Sequence, residues 1–162
     1  MKFKRLEKKE FDALKKLKHE FGVDLEKILD DKVLFVALDG RKEVFATNKQ
    51  ASEALEKLKR DPYSIGLYLG EIRGGRFILS LEGASVIARY TDKKVIVSRK
   101  AEQLVLYGRD VFSKSAVNFE TLAEGERCLI VNDRDELLGI GRVEKGMVKN
   151  LMDRGWYLRK GE

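Results

Sequence analysis

Glycines divide the second half of this chain into pieces too short for long helices. Gly108, Gly125, Gly139, Gly141, Gly146 and Gly155 punctuate the apolar runs Val105 to Tyr107, Arg127 to Val131, Leu137 to Val143 and Trp156 to Leu158. Short β-prone runs between turn-forming residues must pair with one another, because a lone strand leaves its backbone N–H and C=O groups unsatisfied. The expected product is a small β-barrel. The change of texture falls near Ser98 to Ala101, which divides the chain into an N-terminal domain over 1–97 and a C-terminal domain over 98–162.

The first domain alternates helical and strand signals. Leu6, Phe11, Leu14, Leu17 and Phe21 recur at helical spacing among lysines, predicting an amphipathic helix from about Phe3 to Phe21 that Gly22 terminates. Asp24 caps a short second helix through Leu29. Two β-rich runs, Val33 to Leu38 and Glu43 to Ala46, flank Asp39-Gly40 and predict a hairpin with a tight turn, both central residues at positive φ. Asn48 is the expected N-cap of a helix holding Ala51, Ala54, Leu55 and Leu58, and Pro62 lies in the loop that ends it. A second hairpin runs from Ile65 to Ile72, turns at Arg73-Gly74-Gly75-Arg76 and returns through Phe77 to Leu79. Glu82 to Tyr90 reads as helix and Lys94 to Val97 as a strand. The fold class is α+β: an antiparallel sheet with flanking helices, followed by the barrel.

Several chemistries are excluded by inventory. The chain has one cysteine, Cys128, inside the apolar run Arg127 to Val131, so it is read as a core thiol. Its one histidine, His19, lies on the polar side of the first helix, so neither a histidine-based triad nor a multi-histidine metal site can be assembled. No metal and no cofactor are expected. No stretch approaches the roughly 18 apolar residues of a membrane span. The charged start Met1-Lys2-Phe3-Lys4-Arg5 is followed by no apolar signal segment, so the expectation is a cytoplasmic protein. Gly139-Ile140-Gly141-Arg142 lacks both the Gly-Lys-Ser/Thr ending of a phosphate loop and a third glycine opening a helix. Its glycines instead suit a strand where another backbone approaches closely. The carboxylates of Glu124-Gly125-Glu126 and of Asp133-Arg134-Asp135-Glu136 fall in expected turns, where solvated acids are usual.

The formal charge is +6 and the pI about 9.3, which suits a polyanionic partner. Lysine and glutamate enriched together also mark the surfaces of heat-stable proteins, so the total alone is not decisive. The distribution says more. Between Arg142 and Lys160, six cations (Arg142, Lys145, Lys149, Arg154, Arg159 and Lys160) face only two acids, Glu144 and Asp153. Such groups neutralise phosphates, and Trp156 and Tyr157 among them offer faces on which an unpaired base can stack. The bulk of Trp156 equally suits a core anchor, the reading preferred from sequence. Arg109 and Lys114 are placed at the edge of the same face, completing an expected continuous RNA-binding strip.

The stretch Tyr107-Gly108-Arg109-Asp110-Val111-Phe112, then Ser115-Ala116-Val117, Gly125-Glu126 and Leu138-Gly139-Ile140-Gly141-Arg142, resembles the PUA domain, an RNA-binding pseudo-β-barrel. Upstream, Tyr63-Ser64-Ile65-Gly66-Leu67-Tyr68-Leu69-Gly70 and Arg76-Phe77-Ile78-Leu79-Ser80-Leu81, with Ala101 to Gly108, are similar to the Nip-seven family of ribosome-biogenesis proteins. That resemblance implies a pre-PUA α/β domain followed by a PUA domain, no catalytic centre, and a role as an adaptor in rRNA processing and large-subunit assembly. It implies RNA, an rRNA precursor, as the partner, with ribosome-assembly or RNA-processing proteins meeting the N-terminal domain. It places the RNA contacts on the basic C-terminal segment, where Met147 and Met152 stand at positions expected to be more basic. The Gly66 to Leu81 stretch is also close to the version that accompanies RNA cytosine methyltransferases, which leaves a free-standing RNA-targeting module in tRNA or rRNA modification as the alternative.

Overall fold

The structure, a computed structural model, describes residues 1–160. It consists of two compact units: Met1–His19 with Val23–Ile87, and Glu20–Gly22 with the chain from Ala88 onward.

In the first unit, β1 (Phe3–Arg5), β2 (Val33–Ala37), β3 (Lys42–Thr47), β4 (Leu67–Arg73) and β5 (Arg76–Leu79) form an antiparallel meander in that order. Helices α1 (Lys8–Lys15), α2 (Leu17–Phe21), α3 (Leu25–Ile28), α4 (Lys49–Lys57) and α5 (Leu81–Ile87) interrupt it. The expected helix from Phe3 is corrected at its start. Phe3 pairs with Ala37 across the sheet, and its ring meets Phe45 edge-on at 5.5 Å. Burying that ring against Phe35, Ala37, Phe45 and Ile65 outweighs a weak helical preference over three residues. The helix begins only at Lys8, where the Glu10 carboxylate accepts the Glu7 N–H at 2.9 Å. The expected caps are present: Asp24 accepts from Lys27 N–H and Asn48 from Ala51 N–H. Gly74 and Gly75 both adopt positive φ in the two-residue β4–β5 turn. The β2–β3 connection is longer than expected, running from Leu38 to Arg41 with Gly40 at φ +88°.

In the second unit, β6 (Lys94–Val97), β7 (Val111–Phe112), β8 (Ala116–Val117), β9 (Arg127–Val131), β10 (Leu137–Glu144) and β11 (Met147–Asp153) form one sheet in the order β7-β11-β10-β9-β6-β8. The β6–β9 pair is parallel, and the other pairs are antiparallel. The central strand β10 is irregular against both neighbours, near Leu137/Gly139 and at Ile140/Gly141. Such bulges bend a strand and curl the sheet around a core of Val95, Val97, Val111, Cys128, Ile130, Leu138 and Val148. Burial pushes the Cys128 thiol up to about 12, so this cysteine is an inert core residue, as read from its apolar run.

β6, expected in the first domain, is hydrogen-bonded into the second sheet, and the compact units divide at Ile87/Ala88. Two expected strands are helices. Val105 to Tyr107 closes α6 (Arg99–Leu106), whose Ser98 N-cap accepts from Ala101 N–H and whose Ala101 and Val105, four apart, face the core. Trp156 to Leu158 lies in α7 (Trp156–Arg159).

Three contacts attach α7 and β11 to the end of α6. The Arg159 guanidinium grips the buried Asp153 carboxylate at 2.9 and 3.0 Å and also donates to the Leu106 carbonyl. Asn150 Nδ2 donates to the Val105 carbonyl at 3.0 Å, so the last carbonyls of α6 find partners on later elements. The helices approach through Gly155, where a Cβ would stand 1.8 Å from the Leu106 oxygen. Gly155→Ala must force α7 away and loosen the Arg159 grip. The expected cost is about 1–3 kcal/mol, read as a lower urea midpoint with an unchanged m-value.

Candidate nucleic-acid interface

The outward side of β9, β10 and β11 is set by the two-residue alternation of strands. Cys128 and Val148 belong to the core and Val143 is buried, so Arg127, Arg142 and Lys149 take the opposite face, where the two arginines are half-buried and Lys149 is exposed. Arg142 is directly opposite Arg127 on one side and Lys149 on the other, forming a cationic row across three strands. Lys145 sits at the β10–β11 turn with φ +51°, its N–H donating to the Glu124 carboxylate at 3.0 Å. Met147, the first residue after that turn, pairs with Phe112, which is 65% exposed. Lys114 follows two residues later, in a turn of 3-10 helix over Ser113–Ser115.

The remaining candidates other than Arg109 lie beyond the other end of β11. Its seven residues span about 20 Å at roughly 3.3 Å per residue. Midway along β11, next to Lys149, Asn150 N–H donates to Asp110 and Asn150 Nδ2 to the Arg109 carbonyl, holding the Arg109 loop beside the strand. A groove of about 840 Å³ is lined by Gln103, Tyr107, Glu136, Arg154 and Leu158, among others. Tyr107 is 72% exposed and Leu158 82%. The expected candidates are therefore spread along β11, with Lys145 at its start, Lys149 and the Arg109 loop near its middle, and Arg154 and α7 beyond its end.

Intramolecular acids engage several of the expected cations. Arg142 donates to Glu144 through Nε at 2.8 Å, and Lys149 stands 3.7 Å from the same carboxylate. The Arg142 hydrogen bond, more than Lys149, holds the Glu144 carboxyl below the ordinary range, so the pairing persists at neutral pH. Arg159 is committed to Asp153 and to α6, which makes it a structural clamp instead of a free phosphate contact. Arg154 shares the groove with Glu136, whose carboxyl is lowered by Asn132 and Arg134 and, more weakly, by Arg154. Arg109, Lys114 and Lys145 form no side-chain ion pair among the described residues.

Trp156 is not a core anchor. It is 41% exposed, meets Tyr157 edge-on at 5.2 Å and carries Lys160 Nζ 4.6 Å from its ring centre. Neither Arg127 nor Tyr107 was among the sequence candidates. Arg127 is found only through cross-strand register, because the rest of its strand, Leu129 on the same face included, is apolar and buried. Tyr107 belongs to the run Val105 to Tyr107, expected as a short strand, and gives no sign in the sequence of its exposure at the end of α6. Among the described residues no group of three or more His, Cys, Asp or Glu side chains could hold a metal ion, and no helix is long and apolar enough to cross a membrane.

Comparison with known proteins fits this geometry. A family model described as the NIP7/UPF0113 pre-PUA domain matches residues 3–81, and one described as the UPF0113 PUA domain matches residues 93–162. The chain is 32% identical over 171 aligned positions to the UPF0113 protein of Archaeoglobus fulgidus, covering 98% of this chain and 95% of that one. It is 35% identical over 127 positions to the UPF0113 protein of Aeropyrum pernix, covering 74% and 70%. Among solved structures, a hypothetical protein from Pyrococcus horikoshii superposes with a TM-score of 0.63 at 17% identity, covering 97% of this chain and 99% of that one. A conserved PUA domain protein from Thermoplasma acidophilum does so at 0.62 and 15%, covering 99% of each chain. These two likenesses concern the fold. With both halves matched in order and a full-length relative above 30% identity, the chain belongs to the NIP7/UPF0113 family and joins a pre-PUA domain to a C-terminal PUA domain.

Proposed function

We propose that this RNA-binding protein is a non-catalytic adaptor in rRNA processing and large-subunit assembly, gripping a precursor RNA through phosphates on its PUA domain. Family membership supports RNA binding. The match of the first domain to a NIP7-type pre-PUA model favours the ribosome-assembly reading over the methyltransferase-associated one. The observation that carries the proposal is the outward row Arg127–Arg142–Lys149, with Lys145 at its turn. Adjacent cations on a sheet face offer a run of phosphates several charge-assisted contacts at once.

The Glu144 pairings do not block that use. All three partners are a third or more exposed, and exposed ion pairs contribute little, so RNA phosphates can compete with the carboxylate for Arg142 and Lys149. In this reading Glu144 tunes affinity downward and preserves reversible binding. Phosphate contacts carry no sequence information directly, so base selectivity falls to the exposed aromatics Tyr107, Trp156 and Tyr157. A partner protein would meet the N-terminal domain.

Two measurements test the assignment. Simultaneous Lys145→Ala, Lys149→Ala and Arg154→Ala should weaken binding to a single-stranded RNA oligomer and reduce its log–log salt slope by about 2, at roughly 0.7 per contact. Unchanged affinity would refute the site. Glu144→Gln should act in the opposite direction: freed of their acid, Arg142 and Lys149 bind phosphate without competition. Filter binding should then show an affinity gain of a few-fold that shrinks with added salt.

A further inference from the structure

The first unit has a cation-lined groove of its own. Its volume is about 540 Å³, and it opens where α1, the β2–β3 loop and the β4–β5 turn come together. Lys9, Arg41, Lys42 and Arg73 line it, against the carboxylates Glu10 and Glu71. Both acids are already neutralised. Lys4 Nζ stands 3.5 Å from Glu10, and Arg73 is ion-paired with Glu71. Lys9, Arg41 and Lys42 are exposed and make no ion pair among the described residues. Lys16 adds a further cation at the rim, donating to the Gly75 carbonyl at 3.1 Å.

The walls define what such a groove can take. Gly40, Gly74 and Gly75 contribute bare backbone at positive φ, with open space where each Cβ would be. A bulky anion can therefore approach the loops directly. None of the lining residues is aromatic, and Ile72 and Ala13 are the apolar ones, so no platform exists for stacking a base. Cations without aromatics match the repeating charge of a phosphodiester chain better than a nucleotide, whose base would need a face. The groove is also larger than one phosphate requires.

We infer that this groove of the pre-PUA domain is a second RNA contact, binding the phosphodiester backbone through Lys9, Arg41 and Lys42 independently of base identity. The inference rests on the chain being an RNA-binding protein, but it concerns a site separate from the PUA candidates. It adds register and affinity by engaging a longer stretch of the same molecule, with selectivity left to the exposed aromatics of the other domain.

The test uses the full chain and a labelled single-stranded RNA of mixed sequence, titrated across a range of salt. The groove variant is Lys9→Ala with Arg41→Ala and Lys42→Ala. The control removes the same charge from exposed cations of the same unit, as Lys57→Ala with Lys59→Ala and Arg60→Ala. Circular dichroism verifies that both fold. The groove variant should lose about 2 from the salt slope, at roughly 0.7 per contact, while the control loses well under 1. Addition of the Lys145, Lys149 and Arg154 substitutions should reduce the slope further. Equal losses from groove and control would overturn the inference and leave the PUA assignment standing. Groove-dependent binding of polyglutamate in preference to RNA would also overturn it, identifying an acidic protein as the ligand. Absence of RNA binding by the unaltered chain would overturn both readings together.

Discussion

The carbonyl end of one eight-residue helix governs how the second domain is assembled. A helix finishes with backbone oxygens that have no partner within it, and burying them unpaired is costly. In α6 the Val105 oxygen accepts from the Gly108 N–H and also from Asn150 of β11, and the Leu106 oxygen accepts from Arg159 of α7. Asp153 orients that guanidinium, and Gly155 lets the two helices approach to contact. Through these groups the chain's last elements are attached to its barrel. The groove beside them exists because its walls, Tyr107 on one side and Arg154 and Leu158 on the other, are held at that junction.

That constraint divides the basic residues into two kinds. Arg159 is consumed in building the domain, whereas Lys145 and Lys149 stand on strands and turns that would form without them. Net charge hides this difference. Six cations in the final segment suggest one uniform strip, yet one is a structural clamp and two share a carboxylate with each other. A phosphate-binding surface is defined by cations whose pairing is loose enough to exchange. Exposed pairs meet that criterion, and the Asp153–Arg159 pair, with its acid 2% exposed, does not.

In the reading proposed here, the two domains would meet a polyanion by different means. The second offers cations together with exposed aromatic faces, suited to bases as well as phosphates. The first offers cations and bare glycine backbone at hairpin turns. The first groove is built at hairpin turns, where side chains and open backbone stay unburied, whereas the aromatics of the second domain stand at the end of α6 and in α7.

Much of this was legible in the residues. Asn48 and Asp24 as caps, the Gly74-Gly75 turn, the strand nature of the Gly139-Ile140-Gly141 segment and the buried state of Cys128 all follow from local chemistry that acts over a few positions. The failures share a cause. Phe3 to Arg5 is a strand because it pairs with Phe35 to Ala37 and its first ring packs on Phe45, and Val105 to Tyr107 is helical because Ser98 caps a segment whose Ala101 and Val105 reach the barrel core. Short apolar runs carry too little periodicity to choose between helix and strand, so a distant partner decides. The basic character of the tail and its family likeness were likewise determined by the amino-acid order alone. Which cations lie side by side, and which are already bound to Glu144 or Asp153, was decided only by the register of β9, β10 and β11 and by the return of α7 onto α6, since Coulomb attraction depends on separation in space and not along the chain.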